Sequence, residues 1–233
     1  MNDFMLGVVS SLVASAIAVV CGWLVTRQGR RWLTRQLSAL TGIGIERAYD
    51  HQTLATTDLA ADLAQARWIK VMAGRGNELT RESFRPVWLD ATGRLEFVEV
   101  LLPDPRPSGS WLDQREREVC RIDPAFRGGV LQDQVRNNIR YVEQIAERHE
   151  RIRLKLYDLP QVARVIVTDR VAYLTPYAAH QHGRRSPCMV FRNPSTLYDH
   201  ALRLFNTAWE RSEPSTGRLT RLHAAPRSRT DNC

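Results

Sequence analysis

Two short stretches of the chain combine glycine with polar or basic residues, a pattern typical of sites for negatively charged ligands. They are residues 73–77 and residues 177–185, and each follows an apolar run. Their candidate ligand-binding residues are Arg75, Asn77, His180, His182, Arg184 and Arg185. Glycine lets backbone N–H groups approach an anion, and guanidinium groups pair with phosphate oxygens. The stretches predict a site for a phosphate-like or nucleotide-like ligand; the alternative is two solvated turns.

The same residues do not predict a metal centre or a covalent catalyst. His180 and His182 are two positions apart, with no cysteine or cluster of carboxylates beside them. The four cysteines lack CxxC spacing, so we expect neither a zinc site nor a disulfide framework. No serine or cysteine stands in a pattern with histidine that indicates nucleophilic catalysis. We therefore expect no metal and no cofactor.

The elements that would position these stretches follow from the hydrophobic periodicity. Alternating or continuous apolar residues predict six strands, at residues 68–72, 97–102, 152–156, 165–167, 171–174 and 188–191. Apolar stripes at helical spacing predict helices near residues 131–145 and 197–209. A short helix is also predicted near residues 80–88. This alternation of strands and helices predicts an α/β domain with a mixed sheet flanked by helices. Arg153, Lys155 and Arg164 are expected to share one basic face of that sheet.

The N-terminal segment predicts a transmembrane helix. Residues 4–25 contain no charged side chain, and as a helix they would span about 33 Å, close to the thickness of a bilayer core. Asp3 precedes this run and four arginines follow it soon afterwards. The positive-inside rule then places the N-terminus outside the inner (plasma) membrane and the rest of the chain in the cytoplasm. A cleaved signal peptide, the alternative to this single-pass signal-anchor, would need basic residues before the run.

Small residues recur at every third or fourth position of the apolar run. They are Gly7, Ser11, Ser15, Ala18 and Gly22. Such spacing lets two membrane helices approach closely, so it predicts a homo-oligomer within the lipid bilayer. The alternative is that an apolar helix rich in alanine and serine shows such a stripe without a partner.

Composition divides the chain into four segments. We expect a transmembrane helix at 4–25, basic and connector helices beside the membrane at 26–66, an α/β domain at 67–212 and a disordered tail at 213–233. The formal net charge is +8, much of it beside the anchor and in the tail. Membrane topology and anionic lipid account for that charge, so nucleic acid is not an expected partner.

Residues 165–174, Val-Ile-Val-Thr-Asp-Arg-Val-Ala-Tyr-Leu, resemble a strand–turn–strand of the phospholipase D family. In that family the hairpin carries a His-x-Lys-x4-Asp motif, commonly followed by Asp-Arg-Val-Ala. Alignment on the Asp-Arg-Val-Ala at residues 169–172 places Gln161, Ala163 and Thr168 at the motif histidine, lysine and aspartate. The resemblance implies the fold of one half of a phospholipase D-like domain with a degenerate motif.

The replaced motif residues imply that the family's chemistry is absent. Glutamine is a poor nucleophile, and alanine offers phosphoryl oxygens neither a charge nor a donor. The resemblance, over roughly residues 67–209, thus implies a membrane-anchored bacterial pseudoenzyme that senses or binds an anionic ligand or a protein partner. Two alternatives stay open: a membrane-acting effector of a bacterial defence system, and an active phosphodiesterase whose catalytic residues lie elsewhere.

Overall fold

A mixed β-sheet forms the centre of the chain in the computed structural model. The structure describes residues 14–15, 17–19, 21–23, 26–89, 93–105, 110–160, 163–177 and 183–215. The sheet has eight strands within this part of the chain, and helices cover both of its faces. The predicted α/β class, with a mixed sheet flanked by helices, is confirmed.

The helices and strands have the following bounds. The helices are α1 (Arg27–Thr41), α2 (Thr56–Ala64), α3 (Arg85–Leu89), α4 (Trp111–Ile122), α5 (Val130–Ala146) and α6 (Thr196–Glu210). The strands are β1 (Ile45–Tyr49), β2 (Trp68–Met72), β3 (Phe97–Pro103), β4 (Ile152–Tyr157), β5 (Ala163–Thr168), β6 (Val171–Pro176), β7 (Cys188–Arg192) and β8 (Glu213–Pro214). Single 3-10 turns occur at Gln52–Ala55, Glu82–Phe84, Pro124–Phe126 and Gly183–Arg185.

The strand order of the sheet is β1-β7-β6-β5-β2-β3-β4-β8. β2, β3 and β4 run parallel, and the remaining neighbours are antiparallel. In this register Met72 at the end of β2 pairs with Val165 near the start of β5, and Ala163 pairs with Pro176 at the end of β6. The end of β2, the start of β5 and the end of β6 therefore lie side by side, at the same end of these three neighbouring strands.

Apolar stripes fix one helix to each face of the sheet, as their spacing predicts. On α5 the buried residues include Leu131, Val135 and Ile139, which join the core that also holds α2, α3 and the inner side of α4. On α6, Ala201 and Phe205 pack into the core on the other face. Burial of each large apolar side chain contributes roughly 1.5–3 kcal/mol, so both faces are strongly held.

The connector expected to be helical is largely part of the domain instead. Gly42 and Gly44 have φ angles of 68° and 84°, which end α1, and the chain then enters β1. β1 pairs with β7 along the sheet edge, and Arg47 of β1 forms an ion pair of 2.5 Å with Asp62 of α2. Because these contacts are distant in sequence, they override the helix propensity of residues 45–66, of which only 56–64 form an α-helix.

The polar sequence of residues 106–126 predicts a long link, but this segment contains α4. Ser110 caps this helix, its Oγ accepting a hydrogen bond of 3.3 Å from the N–H of Asp113. Leu112 and Val119 are buried. The apolar positions of α4 stand far apart among charged residues, so the hydrophobic periodicity is weak in sequence.

Two predicted boundaries near the C-terminus are also corrected. Asn193, which precedes a proline, is the N-cap that the sequence predicts for the last helix. The N-cap of α6 is instead Ser195, whose Oγ accepts a hydrogen bond from the N–H of Tyr198, while the Asn193 amide donates to the Asp169 carbonyl. The tail was expected to begin at residue 213, yet β8 pairs there with β4. Two residues are too short a strand to show a periodicity in sequence.

The apolar run is described only in part. Residues 14–15, 17–19 and 21–23 are helical, and among the described residues no helix combines the length and apolar character needed to cross a bilayer. Of the predicted small-residue stripe, Gly7 and Ser11 lie outside the described residues, whereas Ser15, Ala18 and Gly22 are helical and exposed. Cys120 is disulfide-bonded, whereas the cysteine spacing predicts no disulfide framework.

Candidate anion-binding site

A pocket lies beyond the ends of three neighbouring strands, where β2 and β6 end and β5 begins. The loop at residues 73–77 forms one wall, and α4 and the 3-10 turn Gly183–Arg185 form others. Its empty space is about 790 Å³, counted out to the open mouth. The charged residues that line it are Arg75, Arg81, Arg115, Arg164, Arg184 and Glu78. We call this site the arginine pocket; its described lining combines five guanidinium groups with one carboxylate.

Arg75 lies in the wall formed by the loop after β2. Its Nη1 donates a hydrogen bond of 3.2 Å to Oε1 of Gln134, and its guanidinium group lies 5.0 Å from the centre of the Phe126 ring. Neither contact neutralises the charge. Within the described part of the chain, Arg75 forms no ion pair with a carboxylate, so its positive charge remains available to a ligand.

The electrostatic environment of Arg75 is that of a crowded cationic site. Burial lowers the pKa of Arg75, and the charges of Arg184, Arg115 and Arg81 lower it further, against an opposing effect of Tyr177. Arginine stays protonated in proteins despite such shifts. The lowered pKa therefore indicates that the protonated guanidinium group is destabilised where it lies, and an anion in the pocket would relieve this.

Arg164 and Glu78 are the most buried of the charged residues that line the pocket. Only 4% of the Arg164 side chain is exposed; its Nη1 lies 3.5 Å from Oε2 of Glu78, and its Nε has no hydrogen-bond partner. The Glu78 carboxylate also accepts a 2.5 Å hydrogen bond from Ser83 Oγ and lies 3.6 Å from Nη1 of Arg81. An unsatisfied buried donor costs about 1–3 kcal/mol. The buried Nε is thus a donor without an acceptor at the base of the site.

The loop that carries Arg75 is fixed by close packing against β3 and α5. Gly76 has a φ of 81°, and a Cβ on it would lie 2.8 Å from Cδ2 of Leu102. The Asn138 amide donates hydrogen bonds of 2.7 Å to the Arg75 carbonyl and to Oδ1 of Asn77. These contacts require glycine at this position and hold the backbone of the loop in a defined path.

Aromatic residues form the remaining walls. Tyr177 follows β6 and its Oη accepts a hydrogen bond of 3.4 Å from the Gly74 N–H, while burial raises the pKa of this phenol. Trp111 at the start of α4 lines the pocket and packs against Tyr157. The site therefore presents flat apolar surfaces beside its guanidinium groups.

The structure brings together some of the predicted ligand-binding residues. Arg75, Asn77 and Arg184 line the same pocket. Arg185 does not line it; this residue is exposed, and its carbonyl accepts a 3.0 Å hydrogen bond from the His51 ring. The other two predicted residues, His180 and His182, lie outside the described residues.

The prediction that Arg153, Lys155 and Arg164 share one face of the sheet is wrong. Arg153 pairs with Glu99 at 2.7 Å and Lys155 donates to the Trp209 carbonyl at 3.0 Å, both on the side of the sheet covered by α6. Arg164 points to the opposite side, into the arginine pocket. Side chains alternate between faces along a strand, so the register between strands decides which residues share a face.

Several residues that line the pocket were not predicted by the sequence patterns, or were assigned elsewhere. Arg81 and Glu78 follow the predicted loop, and Arg115 belongs to the unpredicted helix α4. Their only sequence signal is that they lie shortly after the glycine-containing loop or in a charged segment. It was the arrangement of β5, α4 and the loop after β2 that brought these side chains to one cavity.

The positions aligned with the phospholipase D motif are not grouped in the pocket. Gln161 lies outside the described residues, and Ala163 is buried at the start of β5. Thr168, at the far end of β5, closes the hairpin: its Oγ1 donates to the Val171 carbonyl at 3.1 Å and accepts from the Val171 N–H at 3.0 Å. Thr168 therefore has a structural role in the turn.

Comparison with known proteins gives matches among solved structures alone. No protein-family model and no curated protein matches the chain. TrmBL2, an archaeal chromatin protein that binds DNA, is 12% identical over 89% of this chain and 70% of its own, with a TM-score of 0.47. The phospholipase D family member Nuc from Salmonella typhimurium is 13% identical, and NucT from Helicobacter pylori is 10% identical. Each covers 72% of this chain and 97% of its own, with TM-scores of 0.40 and 0.43. A phospholipase D family member is thus among the structures similar to this chain, at low identity.

Proposed function

We propose that the domain binds a small anionic ligand with one or more phosphate groups in the arginine pocket. The observation that carries this proposal is the charge of the lining, five arginines against one carboxylate. Arg81 and Arg164 share Glu78, and Arg115 pairs at 2.9 Å with Glu118, which lies outside the lining. Arg75 and Arg184 have no carboxylate partner among the described residues, and the repulsion between such charges is poorly screened in a partly enclosed site. A phosphate group accepts several charge-assisted hydrogen bonds at once.

The walls of the pocket favour a phosphate ligand that carries a ring or sugar over inorganic phosphate alone. Trp111 and Tyr177 supply apolar surfaces that suit a ring or sugar beside the phosphate. The pocket combines such walls with point charges, as nucleotide sites do.

Binding without hydrolysis is the better-supported function. Among the described residues that line the pocket there is no histidine, cysteine or aspartate, and its one carboxylate, Glu78, is already engaged by two arginines and Ser83. Burial raises the pKa of Tyr177, so its phenol stays protonated at neutral pH and is a weak nucleophile. The described lining residues therefore offer the phosphodiesterase alternative no candidate nucleophile; its candidate, His180, lies outside the described residues.

The pocket favours a different alignment of this chain with the phospholipase D motif. In the family motif the lysine precedes the aspartate by five positions. Arg164 and Asp169 have this separation, and Arg164 is the residue of β5 that faces the pocket. A shift of one residue from the first alignment thus places a cation at the lysine position. Val162 then stands at the histidine position, and the proposed loss of nucleophilic catalysis remains.

The proposed location is the cytoplasmic side of the inner membrane, with the apolar run as a single-pass anchor. The length of residues 4–25 and the arginines that follow support this proposal. Self-association through the small-residue stripe and a role as a membrane-acting defence effector stay predictions. Extraction of membranes at alkaline pH tests the anchor, since a spanning chain stays in the pellet whereas a peripheral one is released.

Calorimetric titration of the full chain in detergent micelles tests the binding proposal. The ligands are pyrophosphate, a mononucleotide and a phosphodiester, each at matched ionic strength. We expect saturable binding of at least one, weakened by Arg184→Met and unchanged in the matched control Arg153→Met, whose arginine lies on the other face of the sheet. Absence of binding by all three, or equal weakening in both variants, would overturn the proposal. Turnover of the phosphodiester would establish the enzymatic alternative.

Replacement of Glu78 by glutamine will affect ligand binding and stability in opposite directions. The substitution removes the one carboxylate of the described lining, so anion affinity should rise about fivefold, or ~1 kcal/mol. The unfolding free energy should fall by about 3 kcal/mol, the lower limit for a broken buried ion pair, because Arg164 loses its carboxylate partner while glutamine keeps a hydrogen-bond acceptor. Calorimetry and urea denaturation measure the two effects. Weaker anion binding by this variant would contradict the proposed role of the pocket charge.

A further inference from the structure

Helix α1 turns its apolar face away from the domain. Four large side chains on one side of α1 are exposed, namely Trp32 by 48%, Leu33 by 39%, Leu37 by 54% and Leu40 by 83%. The opposite side contacts the domain through Ser38, which is buried and whose Oγ accepts a hydrogen bond from the Ile45 N–H. A helix on a globular domain normally buries its apolar stripe. The exposed stripe of α1 therefore requires a cover from outside the domain.

The sequence of α1 indicates the chemistry of that cover. Its apolar residues share the helix with four arginines, Arg27, Arg30, Arg31 and Arg35, and the helix contains no acidic residue. Helices with a large apolar face and a basic polar face bind at the surface of anionic membranes. Each basic residue near such a surface contributes about 1 kcal/mol. A second copy of α1 would instead bring like charges together.

The geometry at the start of α1 fits a helix that begins anew at the membrane surface. Thr26 has an extended backbone, with φ −65° and ψ 157°, and its Oγ1 accepts a 3.1 Å hydrogen bond from the Gly29 N–H as the N-cap. α1 is thus separate from the helical residues at 21–23. The Trp23 and Trp32 rings meet edge to face across this break, 5.5 Å apart. Tryptophan is enriched at the interface between membrane and water.

We propose that α1 lies along the surface of an anionic membrane, with Trp32, Leu33, Leu37 and Leu40 inserted between the headgroups. This contact is separate from the arginine pocket and does not depend on the ligand there. It places the domain against the bilayer through a second element besides the apolar run. The partner is the lipid surface itself, recognised by apolar insertion and by negative headgroup charge.

Hydrogen–deuterium exchange of the full chain in lipid vesicles tests this proposal. In vesicles that contain phosphatidylglycerol, amides of residues 27–41 should exchange about tenfold more slowly than in vesicles of phosphatidylcholine alone. The double variant Leu33→Gln, Leu37→Gln should lose this protection. The matched control is Leu204→Gln, which replaces a leucine on α6 that is 37% exposed. Amides of α5 in the same experiment report whether each variant is folded.

Two results would overturn the proposal. Equal exchange of residues 27–41 in the two kinds of vesicle would show that anionic lipid does not cover α1. Protection that rises with the density of protein in the membrane, at constant lipid composition, would show that a second copy covers it. Failure of this proposal is distinguished from failure of the pocket proposal by titration of the double variant with phosphate. The pocket does not contain α1 residues, so phosphate binding should be the same in the double variant and in the unmodified chain.

Discussion

Replacement of Arg75 by methionine will remove stabilisation of the domain by phosphate-bearing ligands without destabilising the unliganded domain. The guanidinium group has no carboxylate partner in the described chain, and burial and its arginine neighbours lower its pKa. Relief of the like-charge repulsion should offset the lost contacts with Gln134 and Phe126. The unfolding free energy should therefore change by less than about 1 kcal/mol. Anion affinity should fall about 10–100-fold, since charge-assisted hydrogen bonds contribute ~1.5–3 kcal/mol.

Urea denaturation with and without pyrophosphate measures both effects of this substitution. Arg153→Met is the control, because Arg153 pairs with Glu99 and lies outside the pocket. The control should keep the ligand-dependent increase in the urea midpoint, whereas Arg75→Met should lose it. A loss of more than about 2 kcal/mol in the unliganded Arg75 variant would contradict a ligand-binding role and indicate a structural one.

Replacement of Arg164 by methionine should have the larger effect on stability. Arg164 is almost fully buried and faces Glu78, which is itself buried. Removal of one member of a buried ion pair leaves the other without compensation, at a cost of about 3–5 kcal/mol. Arg81 remains near Glu78 at 3.6 Å, so we expect a value near the lower limit. Ligand binding should be lost as well, because the base of the pocket loses its charge.

A double-mutant cycle separates the ion pair from the packing of Arg164. In the background of Glu78→Gln, the stability cost of Arg164→Met should fall by at least about 1 kcal/mol, because no buried carboxylate is left unpaired. Urea denaturation of the four proteins gives the coupling energy. An unchanged cost in the Glu78→Gln background would show that Arg164 acts through packing alone.

The sequence predicted the class of the fold because the strands and long helices have strong local patterns. The apolar stripes of α5 and α6 and the continuous apolar residues of β2 and β5 are visible without knowledge of the partners. β1 and β8 are strands only because they pair with β7 and β4, which are distant in sequence. Their residues carry no strand pattern of their own, so sequence analysis assigned them to a helix and to a tail.

The site was predictable where glycine and arginine adjoin in sequence, and was missed where the sheet assembles it. Arg75 and Arg184 stand beside glycines and were found. Arg115 lies on α4, whose weak periodicity concealed the helix, and Arg164 was assigned to the wrong face of the sheet. The face of a strand residue depends on register, which a single sequence leaves open. The excess of positive charge became evident only when these elements were placed together.

β1 connects the proposed membrane-facing helix to the arginine pocket. α1 leads through Gly42 and Gly44 into β1, and residues 51–52 follow directly. The Gln52 N–H donates a 2.9 Å hydrogen bond to the Ser186 carbonyl, next to the 3-10 turn that carries Arg184. The turn at the pocket and the helix at the proposed membrane surface are therefore attached to the same edge strand.

Arginine Nε–Hε resonances in the nitrogen-15 NMR spectrum give the most direct test of the proposed anion site. The full chain is titrated with pyrophosphate, and the resonances are assigned with the Arg75→Met, Arg164→Met and Arg153→Met variants. We predict that the Nε–Hε resonances of Arg75 and Arg164 shift with one common saturation curve while that of Arg153 stays in place, since only the first two line the pocket. Unchanged Arg75 and Arg164 resonances at saturating pyrophosphate, or an equal shift of Arg153, would contradict binding in the arginine pocket.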